Sequence, residues 1–437
     1  MEPSPSPSLK SLSAVSLKIG LLSFGGPAAQ IAMMHKEFVE TRKWLSDERF
    51  LHALNYCMLL PGPEAQQLAT YCGWISGRTR GGLIAGLLFI LPGAFAMALV
   101  TWIYARFGNV PMIEGLFYGI KGGVLAIVVQ ALIKVGQRAL KTSLAWFLCA
   151  ASFLALFVFS IPFPIVIIAA GLAGICLVRP DANTQVDVAV PPAARTGRTV
   201  RLLAIGCCVW ALPVVLAAAL LSPAHILVDI GQFFATLAAV SFGGAYALLS
   251  YMAQVAVETK GWLGAGEMLE GLGLAETTPG PLILVTQFVG FLAGWRAPDP
   301  FTPLSAGLLA AFVTTWVTFV PSFVLVLAGA PWMERLRGNK RLAAALSGIT
   351  AAVTGTILNL AVWFALNVFF ARVGEHSFGP AHVLVPDPAS LDPTLAGIAA
   401  VAAGLVFLAK RGIATVVGLT ALLGLAASML GLGPAAV

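Results

Sequence analysis

The stretch LSFGGP, residues 22–27, interrupts an apolar segment with two glycines and a proline, and VSFGGA, residues 240–245, repeats the interruption. Glycine weakens a helix and proline removes one of its backbone hydrogen bonds, so both stretches predict a broken helix. Of the 437 residues, 59% are hydrophobic and 10% are charged, against about 25% charged in a typical soluble domain. Long continuous apolar runs then predict an all-α polytopic membrane protein with about 13 apolar segments.

The two interruptions belong to a longer repeat. Ser23 and Ser241 lie 218 positions apart (241 − 23 = 218). The same shift aligns two further pairs of stretches, namely VETRKWL at 39–45 with VETKGWL at 257–263, and PGP at 61–63 with PGP at 279–281. Farther along the chain the shift becomes 229, which pairs Pro92 with Pro321 (321 − 92 = 229). The chain therefore contains an internal duplication.

The position of the second copy predicts its orientation. Seven apolar segments precede it, and because seven is odd, the second copy is expected to enter the membrane upside down. Two inverted-topology repeats of broken transmembrane helices are typical of secondary transporters. The predicted organisation is a disordered N-terminal tail at 1–13, a first repeat at 14–179, a polar linker at 180–200, a connecting helix at 201–228, a second, inverted repeat at 229–371 and a C-terminal helix pair at 392–433.

The distribution of Lys and Arg predicts a cytoplasmic N-terminus. The formal net charge of +7 is attributed to cytoplasmic loops and not to nucleic-acid binding. One loop disagrees, because residues 35–50 carry four basic and four acidic residues on the predicted outer side. Either this loop is an exception, or the segments at 14–34 and 51–75 do not both cross the membrane.

The helix breaks supply candidate anion-binding groups. A helix that restarts after a break presents free N–H groups and the positive end of its dipole. Nearby hydroxyls and carboxamides add donors without adding charge. Packing and kinking are the alternative explanation of the glycines and prolines, and Lys18 is as well placed to reach the cytoplasmic interface as to bind a ligand. The predicted substrate-binding residues are Lys18, Ser23, Gly25, Gly26, Pro27, Pro61, Gly62, Pro63, Gln66, Gln67, Ser241, Gly243, Gly244, Thr277, Thr278, Pro279, Gly280, Pro281 and Gln287.

Four charged residues lie near these breaks. Glu64 follows the first PGP and Glu276 precedes the second. Because carboxylates inside a membrane often carry protons, both are predicted to couple proton movement to transport, with a structural hydrogen-bonding role as the alternative. Arg78 and Arg296 occupy matched positions and are assigned either to an electropositive vestibule or to topology anchoring.

The paired SFGG elements, the ET-x-x-WL stretch at 40–45 and the paired PGP elements resemble the chromate ion transporter family in its long two-domain form. The resemblance covers about residues 14–430. It implies a secondary active transporter in the bacterial inner (plasma) membrane that exports chromate by proton-coupled alternating access and confers chromate resistance. Sulfate or another anion is the alternative substrate, because chromate and sulfate share shape and charge. The second half departs from the first at Leu282 and Val285, which replace Glu64 and Gln67, so the first half is expected to carry more of the site.

No catalytic pattern accompanies these motifs. The sequence has no zinc-peptidase motif, P-loop, dinucleotide-binding fingerprint or nucleophile elbow, and its six cysteines show no metal-ligand spacing. We therefore predict that the protein is not an enzyme and needs no metal or cofactor. The expected partners are a chromate-like or sulfate-like oxyanion, protons and membrane lipid, without nucleic acid; a homodimer is left open.

Overall fold

The computed structural model describes residues 7–24, 26–58, 60–108, 110–177, 196–242, 245–330, 340–379 and 381–433. The helices in these ranges are α1 (Leu9–Leu22), α2 (Gly26–His35), α3 (Asp47–Cys57), α4 (Glu64–Phe107), α5 (Pro111–Ala139), α6 (Ser143–Phe157), α7 (Phe163–Leu177), α8 (Thr196–Leu220), α9 (Ile226–Ala239), α10 (Ala245–Ala253), α11 (Ala265–Thr277), α12 (Val285–Arg296), α13 (Pro303–Gly329), α14 (Lys340–Phe369), α15 (Pro393–Ala403) and α16 (Ile413–Met429). Shorter elements are π-helical turns at Lys36–Thr41, Gln254–Thr259 and Gly404–Leu408, 3-10 turns at Leu282–Leu284 and Pro388–Ser390, and an antiparallel hairpin of β1 (Val373–Phe378) and β2 (Ala381–Pro386).

The surface of the protein is that of a membrane protein. Five of the described helices are long and apolar enough to cross a membrane, namely Glu64–Phe107, Pro111–Ala139, Thr199–Leu220, Pro303–Gly329 and Arg341–Phe369. Large apolar side chains face outward, including Phe95, which is 81% exposed, and Leu220, which is 77% exposed. Such a surface is stable in lipid and aggregates in water. The prediction of a helical multi-pass membrane protein is confirmed at this level, whereas the number of segments and their inversion stay predictions.

The helix α4 is two helices joined by a sharp turn. Gly77 and Arg78 have non-helical backbone angles, and Arg78 has a φ of 54°. A Cβ atom on Gly73 would lie 2.4 Å from the carbonyl oxygen of Gly81. Residues eight positions apart in one straight helix are about 12 Å apart along its axis, so the chain must reverse direction between them. This turn falls between the predicted segments at 51–75 and 82–105.

The first predicted helix break is present. The helix α1 ends at Leu22 and α2 begins at Gly26, whose φ of +81° is readily adopted only by glycine. At about 1.5 Å per residue, the 14 residues of α1 and the 10 of α2 each span less than the ~30 Å of a bilayer core. Each half of the broken helix therefore reaches only part of the way across. In the second copy α9 ends at Ala239 and α10 begins at Ala245.

Some predicted boundaries shift, and others lie outside the described residues. Helix α1 begins at Leu9, within the predicted disordered tail, because Ser8 caps it by accepting from the Ser11 amide. Helix α8 begins at Thr196, within the predicted linker. Three sets of residues lie outside the described part of the chain. They are residues 180–195 of the predicted linker, residues 1–6 of the predicted tail, and the candidate site residues Gly25, Gly243 and Gly244.

Equivalent elements recur at the shifts found in the sequence. The π-helical turns begin 218 residues apart (254 − 36), α3 and α11 begin 218 apart (265 − 47), and α5 and α14 begin 229 apart (340 − 111). The hairpin breaks this correspondence, since it takes the place that α6 holds in the first copy. Its strands are joined at Gly379, which has a φ of +64° and precedes a proline in the sequence. The sequence analysis did not predict these strands.

The chain forms two compact units. The first comprises Met1–Thr101, Pro180–Ala245 and Thr278–Ala343, and the second comprises Trp102–Arg179, Tyr246–Thr277 and Ala344–Val437. In the first unit α13 packs against α8, α9 and α12, and in the second α5 packs against α11, α15 and α16. Each unit therefore combines segments from both sequence halves.

Candidate functional site

Three helix starts line one small cavity in the first unit. Its volume is about 30 Å³, which is room for about two water molecules. The lining residues come from the first turns of α2, of α4 and of the 3-10 turn that leads into α12, and they are Pro27, Gln30, Pro63, Glu64, Ala65, Pro281, Leu282 and Ile283. Because the first N–H groups of a helix have no partner within it, partial positive charge from three helix starts converges on this cavity.

Each PGP turn is held by the SFGG element of the other copy. The amide of Gly280 donates to the carbonyl oxygen of Ser23 at 2.9 Å, and the amide of Gly62 donates to that of Ser241 at 3.0 Å. Both glycines have a positive φ, +98° for Gly280 and +123° for Gly62. The two hydrogen bonds are related by the 218-residue shift, since 23 + 218 = 241 and 62 + 218 = 280. The matched motifs of the first unit therefore form one reciprocal contact.

Buried carboxamides reinforce these turns. Gln30 donates from Nε2 to the carbonyl oxygen of Gly280 at 2.6 Å, and Gln67 donates to that of Pro61 at 2.7 Å. Gln66 donates to Thr70 Oγ1 at 2.9 Å. All three glutamines are fully buried. Gln30 was not predicted from the sequence. Its position one turn after the Gly26-Pro27 break, as a carboxamide in an apolar segment, could have indicated it.

Four buried oxygen atoms in this region have no hydrogen-bond partner among the residues that the structure describes. They are Ser23 Oγ and the Oε1 atoms of Gln30, Gln66 and Gln67. Buried polar atoms in proteins nearly always have a partner, supplied by protein, water or ligand. The Ser23 hydroxyl is a donor that suits an oxyanion, and the region as a whole is suited to bind a polar guest.

The other predicted polar residues of the first unit have separate surroundings. The Ser241 hydroxyl donates to Ala238 O at 2.7 Å. Gln287 donates to Ala94 O at 2.9 Å and accepts from Thr315 at 3.1 Å, where it lines a different, apolar cavity of about 770 Å³ between α4, α8 and α13. Thr278 is buried beside the second PGP turn. The structure therefore groups Gln66 and Gln67 with the first turn and separates Gln287 from the helix starts.

The charged candidates of the first unit differ in position. Glu64 is the first residue of α4 and lines the small cavity. Lys18 forms an ion pair with buried Glu37, with 2.5 Å between Nζ and Oε1, and its own side chain is 53% exposed. Arg78 is exposed and lies over the Trp74 ring at 5.8 Å, and Arg296 ends α12, also exposed. Only Glu64 among these four lines the small cavity.

The second unit contains two predicted residues and one polar cluster that was not predicted. Glu276 is buried near the end of α11, and the Thr277 hydroxyl donates to Gly273 O at 2.9 Å. Lys121 on α5 pairs with buried Glu270 on α11, with 2.9 Å between Nζ and Oε1. The sequence signal for this pair was an isolated lysine inside the apolar segment at 112–133.

Comparisons with known proteins agree with these motifs. The family model described as chromate transporter matches residues 10–175 and 228–427, two stretches that begin 218 residues apart. A chromate transport protein of Pseudomonas aeruginosa is 32% identical over 356 residues, covering 81% of this chain and 80% of that protein. One from Cupriavidus metallidurans is 27% identical over 364 residues, covering 83% and 84%. An uncharacterised transporter of Bacillus subtilis is 31% identical over 126 residues, covering 29% of this chain and 70% of its own length.

No solved structure is detectably similar to the chain. The family assignment therefore rests on sequence, and it covers both repeats, including the SFGG and PGP elements that meet in the first unit. Because the family model matches most of its length, the chain belongs to the chromate transporter family.

Proposed function

We propose that this protein exports chromate, a tetrahedral oxyanion, across the bacterial inner membrane by proton-coupled alternating access, and thereby confers chromate resistance. The observation that carries the proposal is the convergence of three helix starts on one cavity that is also lined by Gln30, whose buried Oε1 has no hydrogen-bond partner among the described residues. Similarity to the chromate transport proteins of Pseudomonas aeruginosa and Cupriavidus metallidurans supports chromate as the substrate.

The membrane potential favours export. Moving one charge across 100 mV is worth about 2.3 kcal/mol, so a dianion that leaves a negative interior gains about twice that amount. Binding is the harder step, because an unpaired charge in an apolar medium costs tens of kcal/mol. One helix N-terminus offers about 0.3 to 2 kcal/mol. Helix starts alone are therefore insufficient, and hydroxyls, water and a cationic side chain must contribute.

Glu64 is proposed to carry the coupled proton at this cavity. Its carboxylate at the start of α4 competes with an anion for the same helix dipoles. When Glu64 takes up a proton, this competition ends and anion binding becomes more favourable. Glu276, buried in the second unit, is proposed as a second proton carrier, and Arg78 and Arg296 as exposed charges that attract the anion.

Alternating access requires the cavity to change size. A volume of about 30 Å³ holds about two waters, whereas chromate has four oxygens around its metal atom. The PGP turns are the proposed hinges, because glycines at positive φ and prolines leave few helical hydrogen bonds to break. In this proposal the two repeats are inverted, so that opening one set of turns exposes one side of the membrane.

Purified protein in proteoliposomes tests the function. We expect saturable chromate transport that responds to imposed voltage and pH gradients. Glu64→Gln should reduce the response to the pH gradient while voltage-driven transport persists. Glu114→Gln is the matched control, because Glu114 also lies in the first turn of a helix but is exposed. If the protein transports sulfate but not chromate, sulfate is the substrate. If it transports neither anion, the proposal is refuted.

A further inference from the structure

A chain of polar contacts lies inside the second unit, apart from the residues assigned above. Lys121 Nζ is 2.9 Å from Glu270 Oε1, and the Tyr104 hydroxyl donates to Glu270 Oε2 at 2.5 Å. Tyr104 also lies 3.4 Å from Glu267 Oε1, and Glu267 accepts from the Gly264 amide at 2.8 Å through its other oxygen. Glu270 is only 7% exposed. Both oxygens of a buried carboxylate are therefore engaged, one by a cation and one by a neutral donor.

The lysine lies inside an apolar helix that is long enough to cross a membrane. Helix α5 is one of the candidate membrane spans, and Lys121 is ten residues after its first residue, Pro111. At about 1.5 Å per residue Lys121 lies about 15 Å from the start of this 29-residue helix, away from both of its ends. Ionisable side chains within membrane spans are rare, and they usually mark ion or proton pathways.

The packing around the pair accommodates the lysine closely. A Cβ atom on Gly266 would lie 2.9 Å from Lys121 Nζ, and one on Gly273 would lie 2.3 Å from Ile120 Cγ2. Because Gly266 and Gly273 of α11 have no side chain, Lys121 and Ile120 of α5 can occupy the space beside them. A buried ion pair adds little stability over an apolar pair of similar size, so stability alone does not account for these charges.

We propose that Lys121, Glu270 and Tyr104 form a proton-gated anion-binding site for the transported oxyanion, a step that rests on the proposed function. In the structure, the Glu270 carboxylate forms an ion pair with the Lys121 ammonium, so the ammonium is not available to an anion. A proton that binds Glu270 neutralises it, and the ammonium becomes available to an anion. Tyr104 holds the carboxyl group in place through the oxygen that does not face Lys121. Deprotonation of Glu270 restores the ion pair and expels the anion.

The charged and titratable groups that the structure places around Glu270 come from three helices. Lys121 comes from α5, Tyr104 from the end of α4, and Glu267 from α11 itself. Helix α16 also packs on α11, and its sequence, Ile413–Met429, contains no titratable residue. Within the second unit the site therefore offers a cationic side chain whose availability to an anion depends on a proton.

Transport in proteoliposomes tests the site. Glu270→Gln should retain voltage-driven chromate transport and be stimulated by a pH gradient less than the wild type is. Lys121→Met should raise the half-saturating chromate concentration by about tenfold or more, the weight of a charge-assisted hydrogen bond, and Lys121→Arg should recover most of the loss. The exposed ion pair of Arg372 with Asp387, with 2.9 Å between Nη2 and Oδ2, gives the control Arg372→Met.

The double variant Lys121→Met with Glu270→Gln separates a binding role from a structural one. It leaves no unpaired charge within the pair, so it should fold even where Lys121→Met alone does not, and its response to the pH gradient should stay as low as that of Glu270→Gln. Recovery of wild-type affinity and pH response in the double variant would show that the pair is structural and would overturn the inference. If the wild type transports chromate and Glu270→Gln keeps the full wild-type response to the pH gradient, the inference is overturned and the proposed function stays intact.

Discussion

The Gly280 amide donates a hydrogen bond of 2.9 Å to the carbonyl oxygen of Ser23, a residue of the other repeat. The equivalent bond, from Gly62 to Ser241, is 3.0 Å long. Each broken helix thus ends on a turn that belongs to the other copy. Such a reciprocal arrangement makes the geometry of both helix breaks dependent on both PGP turns.

Replacing either turn glycine by alanine should therefore impair the protein. Gly62 has a φ of +123°, and a Cβ atom there would lie 2.2 Å from Ser322 Oγ; Gly280 has a φ of +98°, and its Cβ would lie 3.1 Å from Gly93 Cα. We expect each substitution to cost about 1–3 kcal/mol through backbone strain, with lower thermal stability in detergent and slower anion transport. The control is Gly397→Ala, where a Cβ atom meets nothing within 4 Å. Equal stability of all three variants would contradict this expectation.

Gln30 should prove as important as the predicted residues around it. Its Nε2 donates to Gly280 O at 2.6 Å, so Gln30→Leu leaves a carbonyl oxygen without this donor. We expect a loss of about 1–3 kcal/mol in stability and a reduced rate of transport, because the turn loses its anchor to α2. Gln232→Leu, on the exposed face of α9, should change neither quantity. Wild-type transport by Gln30→Leu would show that this hydrogen bond is dispensable.

Local sequence patterns predicted the helix breaks well because they depend on the residues at the break itself. Gly26 and the PGP glycines have the backbone angles that only glycine tolerates, and their spacing revealed the duplication. The hairpin at 373–386 was missed because it lies between the second repeat, which was predicted to end at 371, and the helix pair predicted to begin at 392, where the sequence analysis assigned no element. Gln30 and Lys121 were missed for another reason: their importance comes from partners 250 and 149 residues away, which no local pattern reports.

Gln287 provides a contrast within the predicted site. It bridges α12 to Ala94 in α4 and to Thr315 in α13, at the edge of an apolar cavity. We predict that Gln287→Leu lowers thermal stability, because two hydrogen bonds of about 1 kcal/mol each are lost, while the half-saturating chromate concentration stays unchanged. A higher half-saturating chromate concentration with unaltered thermal stability would instead show that Gln287 contributes to anion binding.

A polar cavity between the hairpin and α14 leads us to predict that the contact between these two elements depends on pH. In the second unit a cavity of about 310 Å³ is lined by Glu258, Trp363, Glu375 and His382, among others. Glu258 follows α10 and lies beyond the candidate spans, and Trp363 donates to it at 2.7 Å. Partial burial of its carboxyl group, together with the nearby Glu375 carboxylate, raises the pKa of Glu258 above its usual range.

A carboxyl group whose pKa is raised on folding favours the folded contact when it is protonated. Stability of the hairpin against α14 should therefore be highest below about pH 4.3, the ordinary value, and fall as pH rises through the raised pKa. We expect Glu258→Gln to increase hydrogen-exchange protection of residues 373–386 at pH 7.5 and to flatten its pH dependence. His382 contacts Glu375, with 3.0 Å between Nδ1 and Oε1, so both proteins are compared in a His382→Gln background to remove this contact. Lower protection in the Glu258→Gln protein at pH 7.5 would mean that the ionised carboxylate stabilises the hairpin through Trp363.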